Sequence, residues 1–121
     1  MIYGIGTDLV QVARIEKSLL RERFFRRCFS PAEQQELAGK KAESAAACFA
    51  AKEALAKALG TGLFSFAMGE VSLLHEKSGR PRLVFSGALA ERIEGLGLSA
   101  HVSVSHDGGF ALCVVVLEQA G

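Results

Sequence analysis

Hydrophobic and polar positions along the chain change period several times, and each change marks an element. Ile2 to Val10 mix Ile, Tyr, Leu and Val with Gly4 and Gly6. That predicts a short strand and a turn, with the glycines letting another backbone come close. Val12, Ile15, Leu19 and Leu20 then recur at helical spacing. Asp8 and Gln11 fit a capping-box variant, so Asp8 could cap this helix, a role that need not exclude another. Ser30-Pro31-Ala32-Glu33 is a stronger start, with a cap, Pro at the first helical position and Glu at the third. It predicts a short helix to about Leu37, stopped near Gly39, with Lys40 and Lys41 as a polar link. From Ala45 to Ala51 there is no charge at all. The surrounding stretch is rich in Ala and Leu and free of Pro and Gly until Gly60 and Gly62, which end it. A helix this apolar on most sides is a buried one.

Beyond it, Leu63 to Ala67 reads as a connection. Val71 to His75 and Arg82 to Phe85 read as strands around a turn at Glu76 to Pro81, with His75 an ordinary strand residue. Gly87 to Glu94 suits a short helix ended by Gly95 and Gly97. Ala100 to Ser105 alternates as a strand, Asp107-Gly108-Gly109 is a hairpin turn, and Phe110 to Leu117 is nearly continuous apolar strand, which predicts burial on both faces. The whole is an α+β chain: an antiparallel sheet packed against a long buried Ala-rich helix.

The 121 residues suit one domain, 1–121, and half of them are hydrophobic, so a core forms without metal or disulfides. Cys28, Cys48 and Cys113 make no C-x-x-C; an odd, unclustered set fits buried thiols in a reducing cytoplasm. No signal peptide and no membrane span is expected. A net charge of +1 points to neither nucleic acid nor membrane as partner. The charge is uneven, however. Arg14, Lys17, Arg21, Arg23, Arg26 and Arg27 face only Glu16 and Glu22. Such a run is either a solvated face or a dock for an acidic partner. Phe24, Phe25 and Phe29 beside it are expected in the core.

Charges in the Ala-rich helix need a reason, because burying one unpaired is costly. Glu53 and Lys57 lie on one face, one turn apart, and Lys52 sits about 100° round from Glu53. One reading is a weak surface pair. The other is a metal-binding carboxylate beside a phosphate-binding lysine, with Asp8 as the second carboxylate. A hard divalent cation removes the repulsion between two carboxylates, and Mg²⁺ takes one or two of them plus waters and phosphate oxygens. Metal, cation and base together are the equipment of phosphoryl transfer.

Gly4-Ile5-Gly6-Thr7-Asp8, Phe29-Ser30-Pro31-Ala32-Glu33, Phe49-Ala50-Ala51-Lys52-Glu53-Ala54-Leu55-Ala56-Lys57 with Ala58-Leu59-Gly60-Thr61-Gly62, Gly79-Arg80-Pro81 and Ser103-Val104-Ser105-His106 occur in that order. Together they resemble holo-[acyl-carrier-protein] synthase, the short bacterial type of 4′-phosphopantetheinyl transferase, over nearly the whole chain. The resemblance implies transfer of the 4′-phosphopantetheine arm of coenzyme A to a serine of apo acyl carrier protein, in support of fatty acid biosynthesis. It implies Asp8 and Glu53 as Mg²⁺ ligands, Glu53 as base, directly or through a metal-held water, and Lys57 at the leaving phosphate. Lys52 is a phosphate contact or a structural partner of Glu53, and Gly60 and Gly62 belong to the coenzyme A site. Longer members carry an acidic residue where this chain has Val10, so a water replaces that ligand and metal affinity is modest. They also hold two similar halves, whereas the short type is a homotrimer with clefts between subunits. That gives Arg80, Pro81, Ser105 and His106 a role across the interface, around adenine and the 3′-phosphate, and sets the last strand at the threefold contact. Without the resemblance His106 is a turn residue capping the hairpin. The basic helix, through Arg14, Arg21 and Arg23, becomes the dock for the acidic carrier protein.

Two other readings compete. A Mg²⁺-dependent nuclease also uses carboxylates and a lysine, but its common Glu-x-Lys spacing suits a strand, whereas the Glu53–Lys57 spacing suits a helix. A trimeric or ligand-binding module without catalysis would not depend on Glu53.

Overall fold

The computed structural model describes residues 1–62 and 65–121. Strand β1 (Ile2–Gln11) runs directly into helix α1 (Val12–Leu19), followed by α2 (Glu22–Cys28), α3 (Pro31–Leu37) and the long α4 (Ala42–Leu59). A 3₁₀ turn at Met68–Glu70 leads to the hairpin β2 (Val71–His75) and β3 (Pro81–Phe85). Helix α5 (Gly87–Gly95) and the hairpin β4 (Leu98–Asp107) and β5 (Phe110–Gln119) complete the chain. Strands β1, β5 and β4 form one antiparallel sheet in that order, and β2 and β3 form a second. The expected connection at Leu63 to Ala67 lies in part, at Leu63 and Phe64, outside the described residues.

Helix α4 crosses the first sheet over β1 and β5. Ala46, Ala50, Ala54, Leu55 and Ala58 on it are buried, as the lack of charge from Ala45 to Ala51 predicts. Gly60 closes it in the left-handed conformation (φ +75°), where glycine carries no Cβ penalty. The capping box at the start of α3 forms in full: Ser30 Oγ accepts from the Glu33 amide and Glu33 Oε1 accepts from the Ser30 amide. The two-residue turn Gly108-Gly109, both at positive φ, joins Asp107 to Phe110, its direct partner across the hairpin. Phe29 is buried, and Phe24 packs edge-on and Phe25 tilted against it, so the aromatic cluster is core.

Three expectations are corrected. Asp8 does not cap a helix: it lies inside β1, opposite Cys113, and α1 begins only after Gln11, with no side-chain cap. The basic segment is two helices, not one, because Arg21 is extended (φ −93°, ψ 109°) and restarts the chain as the N-cap of α2. In β5 the apolar run is covered on one face only. Ala111, Cys113, Val115 and Leu117 are buried, while Phe110 and Leu112 alternate with them at 42% and 38% exposure. Ile5 and Leu9 of β1, direct partners of Val116 and Leu112, extend that open apolar face.

Candidate active site

The site begins with two glycines. A Cβ on Gly4 would lie 1.9 Å from the Ala58 carbonyl oxygen, and one on Gly6 equally close to that of Ala54. Strand β1 therefore lies on α4 backbone to backbone, and the alanines four apart on the helix leave the room. Side chains alternate along a strand, so Asp8 faces the helix as Gly4 and Gly6 do. Its side chain is 10% exposed, and Oδ2 is buried with no hydrogen-bond partner among the described residues.

Glu53 meets it from α4. Burial first, then a hydrogen bond with Asp8 and the charge on Asp8, push the Glu53 carboxyl up to about 6; Lys57 and Arg14 pull the other way. Lys57, one turn on, holds its Nζ 3.7 Å from Asp8 Oδ1 and donates to the Thr7 carbonyl at 2.9 Å. Two acids from elements distant in the chain thus share one spot with a lysine and an arginine nearby. A cleft of about 290 Å³ opens beside them, lined by Glu53, Ala56, Lys57, Gly60 and Gly62. An anion entering it meets the Lys57 ammonium, and a cation meets the Glu53 carboxylate, which has that of Asp8 as its neighbour. Val10 is buried in the core and offers no third ligand.

Lys52 departs from expectation. It is 1% exposed and turns away from Glu53. Its Nζ donates to Glu33 Oε1 at 2.7 Å and to the carbonyls of Met68 at 2.9 Å and Val71 at 2.6 Å. An ammonium has three hydrogens, so none remains for a phosphate. The residue ties α4 to the capping box of α3 and the start of β2. Its partner is Glu33, whose other oxygen accepts from the Leu73 amide.

The remaining expected site residues lie elsewhere in the single chain. Arg80 and Pro81 border a groove between β3 and β4 with His101 and Val102. His106 lies beside the Glu43 carbonyl, its Nε2 at 3.3 Å, near the start of α4. That position is about 15 Å along the helix axis from Glu53 at 1.5 Å per residue. The bond runs from β4 to α4, so His106 is no hairpin cap. Ser105, one residue before it, is exposed on the open apolar face of the sheet, opposite Leu112. Arg14, Arg21 and Arg23 are all exposed on α1 and at the start of α2. His75 holds Glu36 at 2.6 Å in a separate hollow against α3, which shares no residue with the cleft.

Residues 4–115 match the model of the 4′-phosphopantetheinyl transferase superfamily. The chain is 45% identical to a holo-[acyl-carrier-protein] synthase of Solidesulfovibrio magneticus, with 98% of this chain and 99% of that protein covered. It superposes on the crystal structure of the same enzyme from Neisseria meningitidis with a TM-score of 0.90 at 36% identity, covering 98% of this chain and all of the other. A structure from Bacillus anthracis, solved in complex with CoA (3′,5′-ADP), matches with a TM-score of 0.84 at 34% identity over 99% of each chain.

Proposed function

The chain belongs to the 4′-phosphopantetheinyl transferase superfamily, and we propose that it carries out that transfer in the cleft beside Asp8, Glu53 and Lys57. The substrates are coenzyme A and apo acyl carrier protein, and the second product is adenosine 3′,5′-bisphosphate. The observation that carries the assignment of the site is the Asp8–Glu53 pair, of which Glu53 lines the cleft and Asp8 Oδ2 is buried without a partner among the described residues.

Leaving that oxygen bare is costly, and a hard cation is the partner its chemistry wants. Asp8 and Glu53 would hold Mg²⁺, with waters and phosphate oxygens completing the shell. When bound, the ion offsets negative charge on the diphosphate as the bond breaks. The protein's own groups do the rest. The carrier serine Oγ attacks the phosphorus nearest the pantetheine, forming one P–O bond while the bond to the bridging oxygen breaks. Glu53, beside the Asp8 carboxylate on the wall of the cleft, is placed to accept the serine proton, directly or through a metal-held water. Lys57 faces the leaving phosphate and stabilises its new charge or protonates it. Arg14, Arg21 and Arg23 present positive charge to an acidic carrier, raising its on-rate and selectivity.

One chain does not bring Arg80, Pro81, Ser105 and His106 to this cleft. The open face carrying Ile5, Leu9, Phe110 and Leu112 is the kind of surface a second copy covers. A homotrimer packed through it would carry the four residues of one subunit toward the cleft of its neighbour, around adenine and the 3′-phosphate. Sedimentation should then give three chains, and a single-chain mass would end that part of the reading. A reducing cytoplasm suits the three free, buried thiols.

The deciding experiment incubates the protein with coenzyme A, Mg²⁺ and its own apo carrier protein, and weighs the carrier. The carrier should gain one phosphopantetheine with the wild type, and about 10²–10⁴-fold more slowly with Glu53→Gln. No gain with folded wild type overturns the reading.

A further inference from the structure

The loop that leaves α4 is held by a side chain that the transfer reaction itself does not call for. Gly60 and Gly62 form one wall of the cleft. Thr61 between them and Ser65 after them carry hydroxyls 2.8 Å apart. The guanidinium of Arg92, on α5, reaches both: Nη2 donates to Thr61 Oγ1 at 3.0 Å and Nη1 to Ser65 Oγ at 3.4 Å. Ser65 Oγ donates its only hydrogen to the Gly62 carbonyl at 2.9 Å. Thr61 must therefore be the donor toward Ser65, since a hydroxyl has one hydrogen and Arg92 can only donate. The hydrogen bonds all run one way, from the cation through two hydroxyls to the Gly62 carbonyl. Chains of this kind polarise and strengthen each other.

The anchor is firm. Leu89 and Ile93, flanking Arg92 on α5, are buried in the core. The N-terminus of α5 is itself tied down by Glu70, whose Oε2 accepts from the Ala88 amide at 2.9 Å. Gly60 and Gly62 both sit at positive φ and lack side chains to pack. Glycine loses more freedom on ordering than any other residue, so an outside brace has most effect here.

We infer that Arg92 is a positioning residue for coenzyme A: through Thr61 and Ser65 it holds the Gly60–Gly62 wall in the shape that receives the diphosphate. The inference rests on the cleft being the coenzyme A site. Arg92 touches no reacting atom, and the Gly62 carbonyl, engaged by Ser65, is kept as part of a formed wall. Its effect belongs to coenzyme A binding, not to the chemical step or to carrier docking.

The test is steady-state kinetics of Arg92→Met with calorimetric titration of coenzyme A, beside Lys57→Ala. Arg92→Met should raise KM and Kd for coenzyme A about fivefold, with kcat and the KM for carrier protein within twofold of wild type. Arg92→Lys, which keeps a donor but not the fork, should recover part of the loss. Ser65→Ala should weaken coenzyme A binding alone and add little on top of Arg92→Met, because the two act through one network. Should Arg92→Met fold poorly, Arg92→Lys and Ser65→Ala make the same comparison. An unchanged KM for coenzyme A, or equal rises for both substrates, overturns the role of Arg92. If Lys57→Ala weakens coenzyme A and Arg92→Met does not, only the brace is wrong. If neither weakens it, the cleft is not the coenzyme A site.

Discussion

Gly6 and the Ala54 carbonyl are so close that a single methyl group cannot enter between them: a Cβ at Gly6 would stand 1.9 Å from that oxygen. Both groups are backbone on packed elements, so neither yields by rotating a side chain. Gly6→Ala should destabilise the fold by about 3 kcal/mol or more, the upper end for overpacking, or prevent folding. Gly95→Ala is the control. It lies at the end of α5 with open space around its Cβ position, so it should be neutral or gain up to about 1 kcal/mol. Urea melts of both variants check the contrast.

Lys52 and Glu33 form a buried ion pair in which both side chains are nearly inaccessible. Removing one partner strands the other charge. Lys52→Met should therefore cost about 3–5 kcal/mol, and whatever enzyme remains folded should keep a near-normal KM for coenzyme A. A raised KM with unchanged stability would restore Lys52 to the phosphate site.

Glu53 behaves in the opposite sense. An acid whose carboxyl is raised in the native state holds its proton more tightly there than in the unfolded chain. Below its ordinary value of 4.5 both states are protonated and the residue has no effect on stability. As pH rises from there to about 6, the unfolded state loses the proton first and stability falls; above that the penalty is complete. Glu53→Gln lacks the penalty. Without divalent metal it should melt with wild type at pH 4 and above it at pH 7, while transfer falls by about 10²–10⁴-fold. A variant less stable than wild type at pH 7 would contradict the geometry of the acid pair.

The basic face gives a kinetic signature. Reversing Arg14 and Arg21 to Glu should raise the KM for carrier protein about tenfold, an effect that added salt shrinks, and leave that for coenzyme A nearly unchanged. Parallel rises in both constants would remove these residues from docking.

The thiols should be inert. Burial pushes Cys113 up to about 12 and Cys48 higher still, and raises Cys28 despite the pull of Lys52 and Arg27. The thiolate is the reactive form, so a disulfide reagent at pH 8 should label no cysteine in the native chain and three after urea. Fast labelling of native protein would show a looser core than the one described.

Much of this was legible in residue types alone. The capping box of α3, the glycine stop of α4 and the Gly108-Gly109 hairpin are local signals, and each formed where expected. The glycines of β1 announced a close approach, though not that α4 was what came close. Local signals also misled. Asp8 matches a cap by spacing, yet pairing with β5 carries the strand past it to Gln11. No Gly or Pro marks the break at Arg21. Residue types alone do not pair Lys52 correctly, because its partner Glu33 sits on another helix, 19 residues earlier; the available clue was a cation next to the uncharged run from Ala45 to Ala51. The Arg92 brace joins three positions with no shared motif, and only the folded backbone brings them together.

Lys52 and Glu53 are consecutive residues, yet one points into the interior and the other into the cleft. Heredity can act on them separately. On the proposed mechanism, a single base change at the second codon would cost most of the transfer and leave a folded scaffold on which selection could build a non-catalytic role. The same event at the first would weaken the scaffold itself, and with it every role that could be built there.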